Sequence, residues 1–550
     1  MKVAVLSNTN IDAMARSLQK KYEIFKSDGY NVWVQEILDS SSKLHEFDPD
    51  VVFIILDGQE LVNVYEDYET VKSQLEKYLI YISEYVGKKA SSTNIFISNF
   101  DIPPRRLQCL SEPRPEKAIE CYWSRKLDNL CGSLSKTYIL DIKRMVGITG
   151  SKEFYSKKLW YMGGIRYSIK GQRIMENAID KYIRAVEGKR KKCIVLDLDN
   201  TLWGGVIGEA GLQGIELSDN KEGARYRDFQ MRLKDMKATG IILAVVSKNN
   251  YEDVMEVFKE HHGMYLKEED FSEMIINWEP KTEGIKKLAQ ALNIGLDSMV
   301  FIDDNPVERE AVRCILPEVV VPDFPEDSSD MEDFITNIYE EYFLALDVTE
   351  EDRVKTEQYK QNAQREDMRK ASASMEDYLL ELKTKIRIWK AAEPDIERIV
   401  QLVMKTNQFN LTTKRYTDKE IRGMIESEQY DVYIASVEDK FGDNGKTVVL
   451  IVKKGKNQIE IDTFLMSCRI MSRFIEDQVI EFIENKYRTK GFKVINALYL
   501  KTNKNLPVSD LFERLGYDLI DYDNNGNKKY SLSLDRITNN RNSFGELIEL

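Results

Sequence analysis

The sequence predicts a multidomain α/β protein. Two blocks alternate short apolar runs of strand length with helical stretches, as parallel sheets require. A third block is richer in strands and reads as α+β. The length of 550 residues agrees, since it exceeds what one hydrophobic core supports and calls for two to four domains.

In the first block, residues 1–187, "KVAVLS" and "DVVFIILD" (50–57) read as strands. Between them a helical pattern around "MARSLQKKYEIFKSDG" stops at Gly29. A third run, "TNIFISN", follows a long helical stretch. "GQRIMENAIDKYIRAVEGKRKK" then reads as an amphipathic helix closed by Gly188 and a basic cluster, which marks a boundary.

The second block, residues 188–345, opens with "KKCIVLDLDNTLWGG" and continues through "GIILAVVSKNN", "EMIINWEPK" and "SMVFIDDNP", with helical spacers. Strands that repeatedly end in polar groups describe a doubly wound sheet with its site along one edge. Residues 346–382 are highly charged, lack Gly and Pro, and read as a solvated helix linking domains. Residues 383–536 carry the strand-like runs "KIRIWKA", "YDVYIASVED", "TVVLIVKKG", "QIEIDTFLMSC" and "KVINALYLK"; residues 537–550 read as a polar tail.

Composition narrows the function classes. With 42% hydrophobic and 31% charged residues the chain reads as globular, and a net charge of −13 argues against bulk binding of nucleic acid or anionic membranes. No apolar run approaches the roughly 20 residues of a membrane span, and "MKVAVLSNTNIDAM", broken by Ser7, Asn8 and Asn10, has too short an apolar stretch to read as a signal peptide. A cytoplasmic protein without a nucleic-acid or membrane partner is expected. The six cysteines, Cys109, Cys121, Cys131, Cys193, Cys314 and Cys468, form no CxxC pair, so a cysteine that matters here acts as a thiol and not as a zinc ligand.

Asp197 and Asp199 stand where an apolar run stops, and a carboxylate pair at the end of a buried strand is costly unless a cation sits there. Ser247, Lys281 and the pair Asp303 and Asp304 end three further predicted strands. Singly, each has a structural explanation as a helix cap, a surface residue or a solvated lysine. In order, spacing and strand context together they resemble the four signature motifs of the haloacid-dehalogenase-type (HAD) phosphotransferases.

That resemblance implies Mg²⁺ beside a phosphate dianion, held by the hard oxygens of Asp197, Asp199, Asp303 and Asp304. It implies Asp197 as the nucleophile that forms an aspartyl-phosphate and Asp199, on the same side of the extended chain, as general acid and base. Ser247 would hydrogen-bond a phosphoryl oxygen, and Lys281 would set a positive charge against the transferring group. Asn200, Thr201, Lys248, Asn249 and Asn305, which flank these motifs, are the expected substrate contacts. About 47 residues separate Asp199 from Ser247, too few for a large lid, so an open site for a bulky or protein-borne substrate is expected. "WGGVIGEAGLQGIELSD" reads as a glycine-rich flap or as an ordinary hairpin.

The extended motif "VLDLDNTLWGGVIGE" goes further and resembles the FkbH-type family of phosphatase-like proteins. "MKTNQFNLTTKRYT" (404–417), "DKFGDNG" (439–445) and "FLMSCRIMSRFIED" (464–477) resemble that family's C-terminal signatures. The resemblance implies an N-terminal domain related to SGNH hydrolases and a C-terminal acyltransferase (GNAT)-like domain. It also implies transfer of a glyceryl unit from 1,3-bisphosphoglycerate to the phosphopantetheine thiol of an acyl carrier protein, with dephosphorylation. The alternative is a plain phosphatase acting on a phosphomonoester through Asp197. Cys468, with Arg469 beside it as phosphate partner and thiolate stabiliser, is the candidate acyl-bearing thiol, and Cys193 is its rival.

Two departures qualify these expectations. The stretch from Arg469 to Phe474 has no glycine where acetyltransferases of the resembled fold cradle the CoA pyrophosphate, which disfavours free CoA but not carrier-bound phosphopantetheine. None of the three histidines, His45, His261 and His262, follows an Asp-x-x-His pattern, so Ser7 and Asn8 lack a base and the first domain is expected to bind and not to hydrolyse. "TNQFNLTTKRYT" reads either as a cationic wall for an anion or as a satisfied turn before a helix capped by Thr417.

Overall fold

The computed structural model describes the chain apart from residues 30, 64, 91, 104–106, 108, 113, 349–360, 362, 363, 366, 367, 370, 537–542 and the side chain of residue 468. Its multidomain α/β class is the one the alternation of apolar runs predicts. The chain divides into two compact units, Met1–Val186 and Glu187–Leu550.

In the first unit, β1 (Lys2–Ser7), β2 (Glu23–Lys26), β3 (Val51–Ile55), β4 (Asn94–Ser98) and β5 (Thr137–Leu140) form a parallel sheet in the order β2-β1-β3-β4-β5. The central strands are buried on both faces, which is why they read as unbroken apolar runs. "EIFK", predicted to continue a helix, is instead the edge strand β2. The preceding helix is only Asp12–Leu18, and Glu23–Lys26 takes up the free hydrogen bonds of β1.

The second unit contains β6 (Cys193–Leu196), β7 (Ile242–Ser247), β8 (Glu273–Ile276) and β9 (Met299–Ile302), all parallel, in the order β8-β7-β6-β9. The chain runs outward from β6 to β8 and then returns to the other side of β6, so the order reverses there. In such sheets the crevice at the carboxyl ends of the strands at that reversal is where ligands bind. Two apolar layers pack on its faces, one including Leu196, Trp203, Phe229 and Val245, the other Cys193, Val195, Ile285 and Phe301.

The last part of the unit is a mixed sheet of eight strands in the order β15-β16-β14-β13-β12-β11-β10-β17. These are β10 (Thr384–Lys390), β11 (Tyr430–Asp439), β12 (Gly442–Lys454), β13 (Gln458–Met466), β14 (Val494–Tyr499), β15 (Asp518–Tyr522), β16 (Lys528–Ser533) and β17 (Gly545–Glu549). The predicted polar tail is therefore corrected in part: Gly545–Glu549 pairs in parallel with β10, while 537–542 lie outside the described residues. Of the predicted linker helix, most of 349–370 likewise lies outside them. Its end is a separate helix, Met375–Leu382, capped by Ser374 and buried through Tyr378, Leu379 and Leu382. Among the described residues no helix is long and apolar enough to cross a membrane.

Candidate active site

The carboxyl ends of the four strands β6 to β9 bring together most of the residues singled out in the sequence. Asp197 follows β6, and Asp303 and Asp304 follow β9, with the Asp197 N–H donating to the Ile302 carbonyl across the two strands (3.0 Å). One carboxylate oxygen from each of Asp197, Asp303 and Asp304 lies within 4.8 Å of the others. Lys281 is the cation among them, its Nζ 2.9 Å from Asp197 Oδ1 and 2.6 Å from Asp303 Oδ2.

Lys281 gets there because Pro280 ends the loop after β8 and Lys281 starts the helix Lys281–Ala291. Gly284 lets that helix approach β7: a Cβ there would lie 2.6 Å from Val246 Cγ1.

Three buried or half-buried carboxylates against one ammonium leave an excess of negative charge, and the titration of the site reflects it. Burial, with Asp197 adding repulsion, pushes Asp303 up to about 6 even though Lys281 opposes the shift. Burial and Asp197 likewise raise Asp304. Lys281, which burial alone would lower, is held above its ordinary value by Asp197 and Asp303. A set of hard oxygens with surplus negative charge, only partly neutralised by one lysine, fits a divalent cation such as Mg²⁺.

Asp199 stands outside this group, a departure from the ligand set expected from the sequence. Its Oδ1 accepts from Trp203 Nε1 (2.9 Å) and the Ile207 N–H (3.1 Å), and its Oδ2 accepts from Asn249 Nδ2 (3.1 Å). Its side chain is spent on three donors and is thereby fixed in direction, which suits proton transfer better than metal ligation. Burial raises its carboxyl above the ordinary range, against those hydrogen bonds.

The remaining predicted contacts divide. Ser247 is buried and accepts from Asn249 Nδ2 (3.1 Å), so Asn249 ties it to Asp199. Thr201 is fully buried, and its Oγ1 has no hydrogen-bond partner among the described residues, an orphan donor close in sequence to Asp199 that a phosphoryl oxygen would satisfy. Asn200 takes the left-handed conformation (φ 53°), and its Oδ1 accepts from the Gly205 N–H (2.8 Å), closing the turn after Asp199. Asn305 caps the helix Pro306–Ile315 by accepting from the Val307 N–H, while its own N–H donates to Asp303 Oδ1 (2.9 Å). Lys248 pairs with Glu308 (2.5 Å) and not with the acids.

Sequence reasoning missed two supports. Arg309 donates to the carbonyls of Asp303 (2.9 Å) and Asp304 (2.6 Å), fixing the turn that carries both acids. Gln230, fully buried on the helix Lys221–Ala238, donates to the Leu202 carbonyl and accepts from the Tyr265 and Leu266 N–H groups. Neither residue belongs to a motif; a buried glutamine on a helix gives no signal without its partners.

The stretch between Asp199 and Ser247 forms no separate lid. Gly204 and Glu216 bridge antiparallel around the short helix Ile207–Ala210, and Trp203, Ile207, Ile215 and Leu217 anchor this flap in the core.

The other candidates lie elsewhere in the fold. Cys193 begins β6, at the end opposite Asp197, and is fully buried among Val195, Ile242 and Phe301. Burial pushes its thiol far above the ordinary range, so it is corrected from rival acyl carrier to core residue. Cys468 opens a 3₁₀ turn, Cys468–Ile470, after β13; its side chain lies outside the described residues. Arg469 donates through Nε to Ser467 Oγ (3.3 Å), and its Nη1 is buried without a partner among the described residues. Ser472 (φ 62°) and Phe474 (φ 56°) are left-handed where a glycine would be unstrained. Arg473 is buried with Arg365 around Asp439.

"TNQFNLTTKRYT" is a satisfied turn. Asn410 accepts from the Thr413 N–H, Arg415 Nη1 donates to the Thr406 carbonyl (3.0 Å), Lys414 and Tyr416 bond Asp462 (2.5 and 2.6 Å), and Thr417 forms a capping box with Glu420. In the first unit, Ser7 Oγ pairs with Thr9 Oγ1 (3.2 Å), and Asn8 clamps the backbone of Asp57, which is paired with the buried Arg166 (2.7 Å). Among the described residues no histidine is bonded to Ser7; His45 bonds Ser42 instead.

Neither a protein-family model nor a curated protein matches the chain. Among solved structures, the ribosomal-protein-S18-alanine N-acetyltransferase of Escherichia coli aligns at 10% identity over 28% of this chain and 97% of its own (TM-score 0.22). A GNAT-family acetyltransferase from Desulfovibrio desulfuricans aligns at 11% identity over 27% of this chain and 99% of its own (TM-score 0.23). The N-terminal part of protein BF1531 from Bacteroides fragilis, containing a phosphatase domain and complexed with Mg, is 28% identical over 62% of this chain and 93% of its own (TM-score 0.56). Over that share the chain has the fold of the Bacteroides protein.

Proposed function

We propose that the chain is a Mg²⁺-dependent phosphomonoester phosphatase of the HAD type. The observation that carries this is the set of three carboxylates gathered around Lys281, with Asp199 held apart from it by three donors. The likeness to the Mg-complexed phosphatase domain of the Bacteroides protein supports it. Asp197, Asp303 and Asp304 would hold the cation, which when bound neutralises the phosphate dianion against the acids.

The protein's own groups account for the rest. An Asp197 oxygen bonds to phosphorus as the ester P–O bond breaks, and Asp199, raised by burial, delivers its proton to the departing alcohol oxygen. Water then attacks the same phosphorus, Asp199 takes back a proton, and inorganic phosphate leaves with Asp197 regenerated. Lys281 and the Ser247 and Thr201 hydroxyls balance the phosphoryl oxygens. Phosphate release from a simple phosphomonoester tests the reading: it should require Mg²⁺, stop on chelation, and fall to background in Asp197→Asn. Metal-independent release, or full activity in Asp197→Asn, would refute it.

The finer reading is glyceryl transfer: the acyl group of 1,3-bisphosphoglycerate passes to a thiol, Cys468 and then a carrier's phosphopantetheine, and the phosphomonoester left behind is removed at Asp197. The "WGGVIGE" extension supports it, and the burial of Cys193 leaves Cys468 of the two candidate thiols. A hydroxylamine-labile glyceryl adduct, seen by intact mass and lost in Cys468→Ala, is expected; phosphate release with no adduct on protein or carrier would leave the plain phosphatase.

A further inference from the structure

The acid site itself is polar, and the segments around it expose apolar side chains among polar ones such as Asn250, Glu279 and Asn305. The segment that follows each of β6, β7, β8 and β9, a loop or the first turn of the helix after it, carries one exposed apolar side chain a few residues from the site: Val206, Tyr251, Trp278 and Val307, between 37% and 72% exposed. Val206 precedes Ile207, whose N–H donates to Asp199 (3.1 Å). Tyr251 follows Asn249 and Asn250, and Asn249 holds Asp199 and Ser247. Trp278 Nε1 donates to Asn250 Oδ1 (3.0 Å), which joins the loops after β7 and β8 and fixes the indole three residues before Lys281. The Val307 N–H donates to Asn305, which in turn donates to Asp303.

Single exposed apolar side chains need no explanation, but one after the carboxyl end of each of four parallel strands does. Three cations on these segments and on the flap's neighbouring helix are already committed. Lys248 pairs with Glu308, Arg309 holds two backbone carbonyls, and Arg225 pairs with Glu216 and Glu222. The rim thus offers apolar surface and no uncommitted cation among these three, a poor seat for a second phosphate and a good one for an uncharged, apolar chain or ring.

We infer that the substrate is a phosphomonoester whose alcohol portion is uncharged and apolar beyond the reacting oxygen, and that Trp278, with Tyr251 beside it, sets this preference by contact. The inference rests on the phosphatase reading and names its substrate class. In the finer reading the phosphomonoester left after acyl transfer meets the uncharged part of this requirement, and the doubly phosphorylated starting compound does not.

The test compares ethyl phosphate with 2-phenylethyl phosphate, two primary alkyl esters of similar intrinsic reactivity, on the full-length Mg²⁺-loaded protein. The wild type should prefer the phenylethyl ester at least tenfold in kcat/KM, mostly through KM. Trp278→Ala should reduce that ratio at least fivefold, and Trp278→Phe, which keeps the ring but not the bond to Asn250, should retain most of it. Equal use of both esters by the wild type, or an unchanged ratio in Trp278→Ala, would overturn the inference while leaving the phosphatase intact. If neither ester turns over, the phosphatase reading fails. Calorimetric binding of the two esters to the wild-type protein with Mg²⁺, which then leaves them intact, decides the rim by itself, since equal affinities would reject it and a tenfold preference lost in Trp278→Ala would support it.

Discussion

Asp303 is where the charge imbalance of the site becomes measurable. Its carboxyl is pushed up to about 6, so in the absence of metal the folded chain binds this proton more readily than the unfolded chain does. Its contribution to apoprotein stability is therefore full below the unfolded value of about 4 and is lost as pH rises through about 6. Metal binding offsets that loss only where the carboxylate is ionised. The Mg²⁺-induced rise in Tm should shrink as pH falls through about 6; an equal rise at about pH 5 and about pH 7.5 would contradict this. Asp304→Asn removes one charge from the crowd without breaking the Lys281 pairs. It should leave the apoprotein more stable by about 1 kcal/mol or less and abolish the Mg²⁺ response, both readable by calorimetry.

At the scale of elements, the site depends on how closely the helix Lys281–Ala291 approaches β7. Gly284→Ala sets a methyl group 2.6 Å from Val246 Cγ1. It should cost about 1–3 kcal/mol and lower kcat by displacing Lys281; a variant of unchanged Tm and kcat would show that the contact is slack. Elements were legible where local pattern decides them. Strands β6, β7 and β9 are runs buried on both faces that end in, or are followed at once by, a polar residue, so both the strand and its site residue could be read together. β2 was not legible because its four residues continue the helical pattern before them and only the free edge of β1 makes them a strand. β15 is fully exposed and β17 lies far along the chain from its partner β10, so neither carries an apolar signal of its own. Asp199 was legible as a functional acid, but not as one set apart from the metal, because that depends on the Trp203, Ile207 and Asn249 donors.

At the scale of the molecule, the eight-stranded sheet domain carries its own pH dependence. Asp395, Asp431 and Asp439 would each be raised by burial, yet each is held below the usual carboxylate range. Lys446 does this for Asp395, Lys390 with Tyr487 for Asp431, and Arg365 for Asp439. A lowered folded pKa adds stability above the unfolded value of about 4 that is lost as pH falls through the folded values. Circular dichroism should therefore show this domain failing in acid below about pH 4. Asp431→Asn should be less stable at neutral pH and show a shallower acid limb; an acid limb identical to the wild type would contradict the account.

The central claim is that Asp197 becomes covalently phosphorylated. Acid-quenched intact and peptide mass spectrometry after a single turnover with a phosphomonoester and Mg²⁺ tests it directly. The account predicts one added phosphoryl group, located at Asp197 and absent from Asp197→Asn. Turnover with no adduct at any time point, or an adduct that persists in Asp197→Asn, would contradict it.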